Sequence, residues 1–279
     1  MKDSSKFYVL SSKFKNKLTL FGAMVVGILV VIALFAPFIA PYEPNEIDLE
    51  SALLSPSKVH IFGTDYLGRD VFSRIVYGSR ISLSIGFIAV GISVLIGIAI
   101  GSIAGYYGGR TDTLLMRFVD IMLCFPSFFL ILAVVAMLEP NIRNIMIVIG
   151  ITSWMGVARL IRAEILSLKE REFILASRAI GASDLRIITR HLIPNAIAPV
   201  LVSAVLGVAL AVLIESSLSF LGLGVQPPTP SWGNILMEGK ASLGVCWWLM
   251  LFPGLFILIT VLGYNLLGEG LREHFNPRR

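Results

Sequence analysis

Charge is what this 279-residue chain has least of: Asp, Glu, Lys and Arg make up 15% of it, against about 25% in an ordinary soluble domain. Much of its surface must therefore face something other than water, which excludes a soluble domain of this length. Cysteine is scarce too. Cys124 and Cys246 both sit in apolar stretches and read as small buried hydrophobes, so neither a disulfide scaffold nor a redox compartment follows. The histidines, His60, His191 and His274, fall in three separate polar segments and read as surface residues, not metal ligands. No Gly-x-x-x-x-Gly-Lys-Ser/Thr loop occurs: the one Gly-Lys pair, Gly239-Lys240, is followed by Ala241. The chain thus has no cradle for nucleotide phosphates. A Gly-x-Ser-x-Gly elbow, His-Glu-x-x-His and Cys-x-x-Cys are missing as well. A membrane hydrolase or metalloenzyme would need convergent polar groups that cannot be assembled here, so an enzyme is not expected, and no cofactor in this chain.

Apolar sequence is what the chain has in abundance, with 56% hydrophobic residues and a mean hydropathy of +0.84. A helix crossing a bilayer needs about 20 such residues, and uncharged runs of that order recur. The first covers 18–42, behind a tail at 1–17 carrying Lys2, Lys6, Lys13, Lys15 and Lys17. It is longer than the roughly 7–15 apolar residues of a signal peptide and reads as a retained helix. Further runs cover 81–109, 116–138 with Arg117 and Asp120 at its entrance, 144–158, 192–214 and 241–268. The reading is an all-α membrane protein with six transmembrane helices. An external loop is expected over 43–80, and a five-helix transmembrane core over 81–279 that includes a cytoplasmic loop at 159–194.

Placing the amino terminus inside leaves Lys58, Arg69, Arg74, Arg80, Arg143 and Lys240 outside and every other Lys and Arg inside. That asymmetry predicts cytoplasmic termini. It also accounts for the net charge of +5 without nucleic acid. Gly97, Gly101 and Gly105 recur every fourth residue in the second run, on one face where another helix can approach closely. The helix interiors are otherwise almost free of charge, whereas ion-coupled transporters place ionisable ligands there. Asp120 reads as a snorkelled or locally paired carboxylate. Glu215 closes the fifth run beside Ser216, Ser217 and Ser219. Two readings stay open for it: an interfacial carboxylate, or a polar patch of Glu215, Ser216 and Ser219 lining a solute path.

The segment 159–194 alternates the sign of its charges and intersperses Phe173, Ile174, Ile180, Leu185 and Ile188. Gly181 reads as a helix stop, and Ser183 as an N-cap with Asp184 favourably in the first turn. Two short amphipathic helices joined at a glycine corner are expected beneath the membrane. Such a corner either rests on lipid headgroups or serves as a helix-in-groove ligand for another protein.

Ala176-Ser177-Arg178-Ala179-Ile180-Gly181, nine further residues and then His191-Leu192-Ile193-Pro194 resemble the loop motif of ATP-binding-cassette importer permeases. Leu175 stands where that motif has glutamate, Ser177 where it has its second alanine, His191 its isoleucine and Ile193 its leucine; Glu172 offers a carboxylate one turn earlier. Gly63-Thr64-Asp65-Tyr66-Leu67-Gly68-Arg69-Asp70 and Ser219-Phe220-Leu221-Gly222-Leu223-Gly224-Val225-Gln226-Pro227-Pro228 are similar to the second permease subunit of dipeptide, oligopeptide and nickel importers. The resemblance implies half of a path for short peptides in the bacterial cytoplasmic (inner) membrane, in contact with membrane lipid. A nickel or nickel-chelate importer is the alternative within the family, and a stand-alone secondary transporter the alternative from another class. The implied partners are a second homologous permease, two ATPase subunits that hold ATP and Mg, and an external solute-binding protein. ATPase coupling would fall to Glu172, Ala176, Ser177, Arg178, Gly181, Ala182, Ser183, Asp184 and Arg186. Pro194 would redirect the chain from loop to membrane.

Overall fold

A computed structural model of the chain describes residues 2–240, 242 and 244–275, with side chains from residue 17 onward. Its helices are α1 (Lys2–Leu34), α2 (Ala36–Ile39), α3 (Val71–Tyr107), α4 (Gly109–Leu123), α5 (Ser127–Met137), α6 (Ile142–Ile151) and α7 (Met155–Leu168). They continue as α8 (Glu172–Ala179), α9 (Asp184–Ile187), α10 (Ile193–Phe220), α11 (Trp232–Lys240) and α12 (Trp248–Phe275). Among the described residues the sole extended pairing is an isolated bridge between Thr64 and Asp70. Five helical segments are long and apolar enough to cross a bilayer: Lys17–Leu34, Val71–Tyr107, Ile142–Leu168, Asp184–Phe220 and Trp248–Phe275. The pair α4 and α5, bent by 80°, makes a sixth if it is one span.

The boundaries differ from the uncharged runs for identifiable reasons. Helix α3 starts at Val71, ahead of the run at 81, so the expected outer loop ends at residue 70. Asp70 takes the extended N-cap conformation and accepts the backbone N–H of Ser73 at 2.8 Å. Arg74 extends the helix into a charged stretch because its guanidinium is neutralised by partners described below. The third run is not one rod. Pro126 has no N–H to donate and disfavours helical geometry at Phe125, and the chain turns sharply there. The last run begins at Ala241, outside the described residues, and the helix itself begins at Trp248. Helix α1 runs through the basic tail, although the side chains before Lys17 and the terminal Arg278 and Arg279 lie outside the described residues.

Pro194 does not redirect the chain. Helix α9 passes into α10 through one widened turn at Ile188–Leu192, and Asp184–Phe220 forms a continuous segment. A proline ring collides with the carbonyl four residues earlier, here Arg190, and widening that turn makes room for it.

Helix α3 is the hub of the bundle, packed against α1, α6, α7 and α10. The glycine stripe faces α7. A Cβ at Gly97 would lie 2.6 Å from Val157 Cβ, one at Gly101 2.4 Å from the Ala158 carbonyl oxygen, and one at Gly105 3.0 Å from that of Arg162. The two backbones meet across missing side chains, as small-residue stripes in membranes allow. Antiparallel α1 and α12 pack through Gly22 against Gly263 and Leu267, and Gly268 of α12 meets Leu206 of α10. The start of α1, the end of α12 and the start of α10 therefore share one end of the bundle. Residues 40–70 and α11 occupy the other.

Candidate functional site

The two ends are built from different chemistry. At the end that holds residues 40–70, Asp65 accepts the Arg69 Nε at 2.6 Å, and Glu238 of α11 accepts Arg69 Nη2 at 3.0 Å. Arg74 of α3 bridges both carboxylates, donating Nη1 to Asp65 and Glu238 and Nη2 to Glu238 at 3.0 Å. All four side chains are buried, Asp65 and Arg74 completely. Two positive and two negative groups cancel, and backbone N–H groups of Leu67 and Arg69 further satisfy Asp65 at 2.8 and 3.0 Å. Such compensation is what a buried charge requires. His60 faces Asp70 at 3.0 Å, and Trp248 donates its indole N–H to the Thr64 carbonyl at 3.0 Å. Gly68 has φ +75°, and a Cβ there would lie 1.7 Å from the Asp48 carbonyl oxygen, so no other residue fits this turn. The Ser51 hydroxyl, with backbone donors at Glu50 and Ser51, holds the exposed Asp48 carboxyl below its ordinary value. Burial pushes the Cys246 thiol up.

Glu215, Ser216 and Ser219 lie under α11, and all three are buried. Ser82, Ser216 and Ser219 place their hydroxyls 3.1, 3.4 and 2.7 Å from the Glu215 carboxylate. Above it Trp232 donates its backbone N–H to Ser82 at 3.3 Å and its indole N–H to the Ile75 carbonyl at 3.1 Å. The carboxylate is enclosed by the protein and closed to a solute in this conformation. Its hydroxyl partners tie α3 to α10. An open groove of about 260 Å³ lies elsewhere, between α3, α6, α7 and α10, and includes Ser93, Ser153, Gly156, Ser203 and Gly207 in its lining.

At the opposite end Gly181 has φ +82°. The Gly181 N–H reaches the Arg178 carbonyl at 2.9 Å and the Ala182 N–H that of Ser177 at 3.0 Å, the paired closure of a glycine-terminated helix. Ile174 and Ile187 are fully buried, one from each arm of the corner, in a cluster with Tyr106, Val157, Ile161, Ile165 and Leu192. Ser177 is buried and bonds back to the Phe173 carbonyl at 2.9 Å, and Ala182 is half-buried. Glu172, Ala176, Arg178, Gly181, Ser183, Asp184 and Arg186 are exposed. Ser183 occupies the N-cap, yet its hydroxyl makes no capping bond; its carbonyl accepts the Ile187 N–H at 2.9 Å. Ile180 is 86% and Leu185 71% exposed. Apolar side chains pushed outward on a stiff corner form a surface another protein can cover. Behind the corner Arg162 of α7 pairs with Asp112 of α4, and Arg159 with Asp120.

Residues 97–279 match the binding-protein-dependent transport system inner membrane components. The chain belongs to that family. The stretch 12–56 of this permease matches the N-terminal transmembrane domain of oligopeptide transport permease C. It is 44% identical to the dipeptide transport system permease protein DppC of Alkalihalophilus pseudofirmus, over 95% of this chain and 87% of that protein. Identity to the oligopeptide transport system permease protein OppC of Bacillus subtilis is 40%, over 94% of this chain and 86% of that one. The fold resembles that of the methionine ABC transporter MetNI in an inward-facing conformation, with a TM-score of 0.56 at 19% identity, covering 75% of this chain and 98% of that one. The family expected from the loop motifs is thus the one the permease belongs to.

The motif at 63–70 contains Asp65 and Arg69, but their network with Arg74 and Glu238 went unread. Arg74 falls in the stretch expected as a loop, so the sequence carried no sign that its guanidinium is buried and needs a counter-ion. Tyr106 was missed as well, since one tyrosine at a helix end carries no pattern.

Proposed function

We propose that this permease is one of two transmembrane halves of an ATP-driven importer of short peptides. Its identity of 44% to a dipeptide permease over nearly its whole length supports the peptide class and carries the reading. A second homologous permease would complete the path, two ATPase subunits would bind and hydrolyse ATP with Mg, and an external binding protein would deliver the peptide. The termini and the α8–α9 corner face the cytoplasm of a bacterial cell, consistent with the excess of Lys and Arg at that end.

The corner supplies the mechanical link. Glu172, Ala176, Ser177, Arg178, Gly181, Ala182, Ser183, Asp184 and Arg186 lie on or beside it, with Ile180 and Leu185 presented for burial in an ATPase groove. Because α9 runs unbroken into α10, movement of a docked corner passes along a rod to the far face of the membrane, where α10 holds Glu215 beneath α11. Recovery of the chain from gently solubilised native membranes tests the assembly. A second permease and ATPases should accompany it, and the reconstituted complex should take up radiolabelled dipeptide only with ATP. A chain recovered alone under conditions that keep other importers whole overturns the reading.

A further inference from the structure

The end of α3 and both arms of the α8–α9 corner, far from α3 in the sequence, converge on one phenol. Tyr106, the penultimate residue of α3, donates its hydroxyl to Asp184 Oδ1 at 2.6 Å. The Arg178 guanidinium of α8 lies over the same ring, 5.2 Å from its centroid. The ring is 7% exposed and packs in the cluster that contains Ile174, Ile187 and Ile165. It thereby touches both arms of the corner, Asp184 just after Gly181 and Arg178 just before. Immediately preceding it, Gly105 presses against Arg162 and Ile165, so α3 and α7 are fastened together at this level.

We infer that Tyr106 is a positioning residue that transmits movement of the α8–α9 corner to the α3–α7 pair. The inference rests on the corner being the ATPase attachment. The corner has two mechanical outlets. One is covalent, through the continuous α9–α10 segment. The other is side-chain contact, in which the Tyr106 hydrogen bond and the Arg178 contact are the polar fastenings to α3. With both engaged, α10 and the α3–α7 pair move as one body. With the phenol hydroxyl removed, a docked corner still pulls α10, while its hold on α3 and α7 is reduced to the apolar contacts of Ile174, Ile187 and the ring, and the pair follows less closely. ATP would then be hydrolysed with less peptide moved.

The test uses the complete importer reconstituted in vesicles with its binding protein, comparing ATP hydrolysed with dipeptide taken up. Tyr106→Phe keeps the ring in the cluster and beneath Arg178 while deleting the donor. ATP turnover should stay within about twofold of the parent, and peptide moved per ATP should fall by about three- to tenfold, the scale of one ordinary hydrogen bond. Asp184→Ala should lower the same ratio, Asp184→Asn should lower it less because the amide oxygen still accepts, and Tyr106→Phe with Asp184→Ala should be no worse than the more severe single change. An unchanged ratio in Tyr106→Phe overturns the inference, as do multiplying effects in the double variant. Loss of ATPase subunits from Tyr106→Phe also overturns it, because the residue would then support docking rather than transmission. A parent protein that takes up peptide without ATPases sinks the importer reading itself, a result distinct from each of these.

Discussion

The end of the permease that holds residues 40–70 is finished, and the corner end is not. Around Asp65, Arg69, Arg74 and Glu238 every charge has an opposite charge within the same chain, and Trp232 and Asn234 are wholly buried with hydrogen-bonded partners. At the corner Ile180 and Leu185 stand in the open. The difference separates two kinds of stability. The charge knot holds a discontinuous set of segments in one shape without help. The corner is held in shape only at its root, by Ile174, Ile187 and Tyr106, while its tip offers apolar surface that this chain does not cover.

Substitutions that act on the chain alone should therefore hit the charge knot hardest. Arg74→Ala leaves Asp65 and Glu238 buried with less compensation, and breaking such a network costs about 3–5 kcal/mol. Thermal unfolding in detergent should show a large drop, with less protein recovered from membranes. Replacing Asp65, Arg69, Arg74 and Glu238 together by apolar residues of similar volume should restore part of the loss, since the penalty lies in the unpaired charges and no member of the network is then left buried alone.

The helix interface between the two ends should be next. Gly101→Ala drives a methyl toward the Ala158 carbonyl oxygen, and overpacking of this kind costs about 1–3 kcal/mol. Gly91, on the same helix, has no neighbouring atom within 4 Å of an added Cβ. There alanine should be neutral or stabilise by up to about 1 kcal/mol through helix propensity. Opposite signs of the change in unfolding temperature would establish that the stripe works by contact and not by helix flexibility.

How much of this the sequence discloses follows from what imposes each feature. Lipid forces backbone hydrogen bonds to close within a helix, so the apolar runs disclose the helices and the four-residue glycine spacing discloses a face. The Gly181 corner was legible because positive φ has a residue signature. The bend at Pro126 was hidden in an uninterrupted apolar run, where hydropathy says nothing of backbone direction. Pro194 misled in the other direction, because a widened turn absorbed the ring and the rod continued. The pairing of Arg74 with Glu238 spans 164 residues of sequence, and the Tyr106–Asp184 bond spans 78. Only the tertiary arrangement brings them together. Glu215 left its two readings open for the same reason: its environment is set by Ser82 and Trp232, neither of them a sequence neighbour.

At the corner the effects on the bundle should shrink while those on assembly grow. Gly181→Ala forces an L-residue into left-handed backbone at about 1–2 kcal/mol, and Gly181→Pro also removes the N–H that closes onto Arg178. Because the strain falls on an exposed turn, unfolding of the bundle should change little. Retention of ATPase subunits through purification should fall, more for proline than for alanine. Normal retention and normal uptake in Gly181→Pro would remove the corner from the coupling mechanism.

The smallest effect on the chain should come from the most exposed apolar side chain of the corner, Ile180 at its tip. Ile180→Ser removes almost no buried surface within the permease, so its own stability should stay within about 0.5 kcal/mol of the parent. In the assembly the same side chain would lie in a groove, where truncating a well-buried apolar anchor weakens attachment by about tenfold or more. Leu185→Ser should behave alike, and a titration of purified ATPase against permease in lipid nanodiscs reads both. A permease that is as stable as the parent but binds its ATPase less tightly is the signature of a surface built for a partner. Equal binding by both serine variants would leave the corner resting on lipid headgroups, and its apolar tip would then be an anchor in the membrane interface instead of a ligand for another protein.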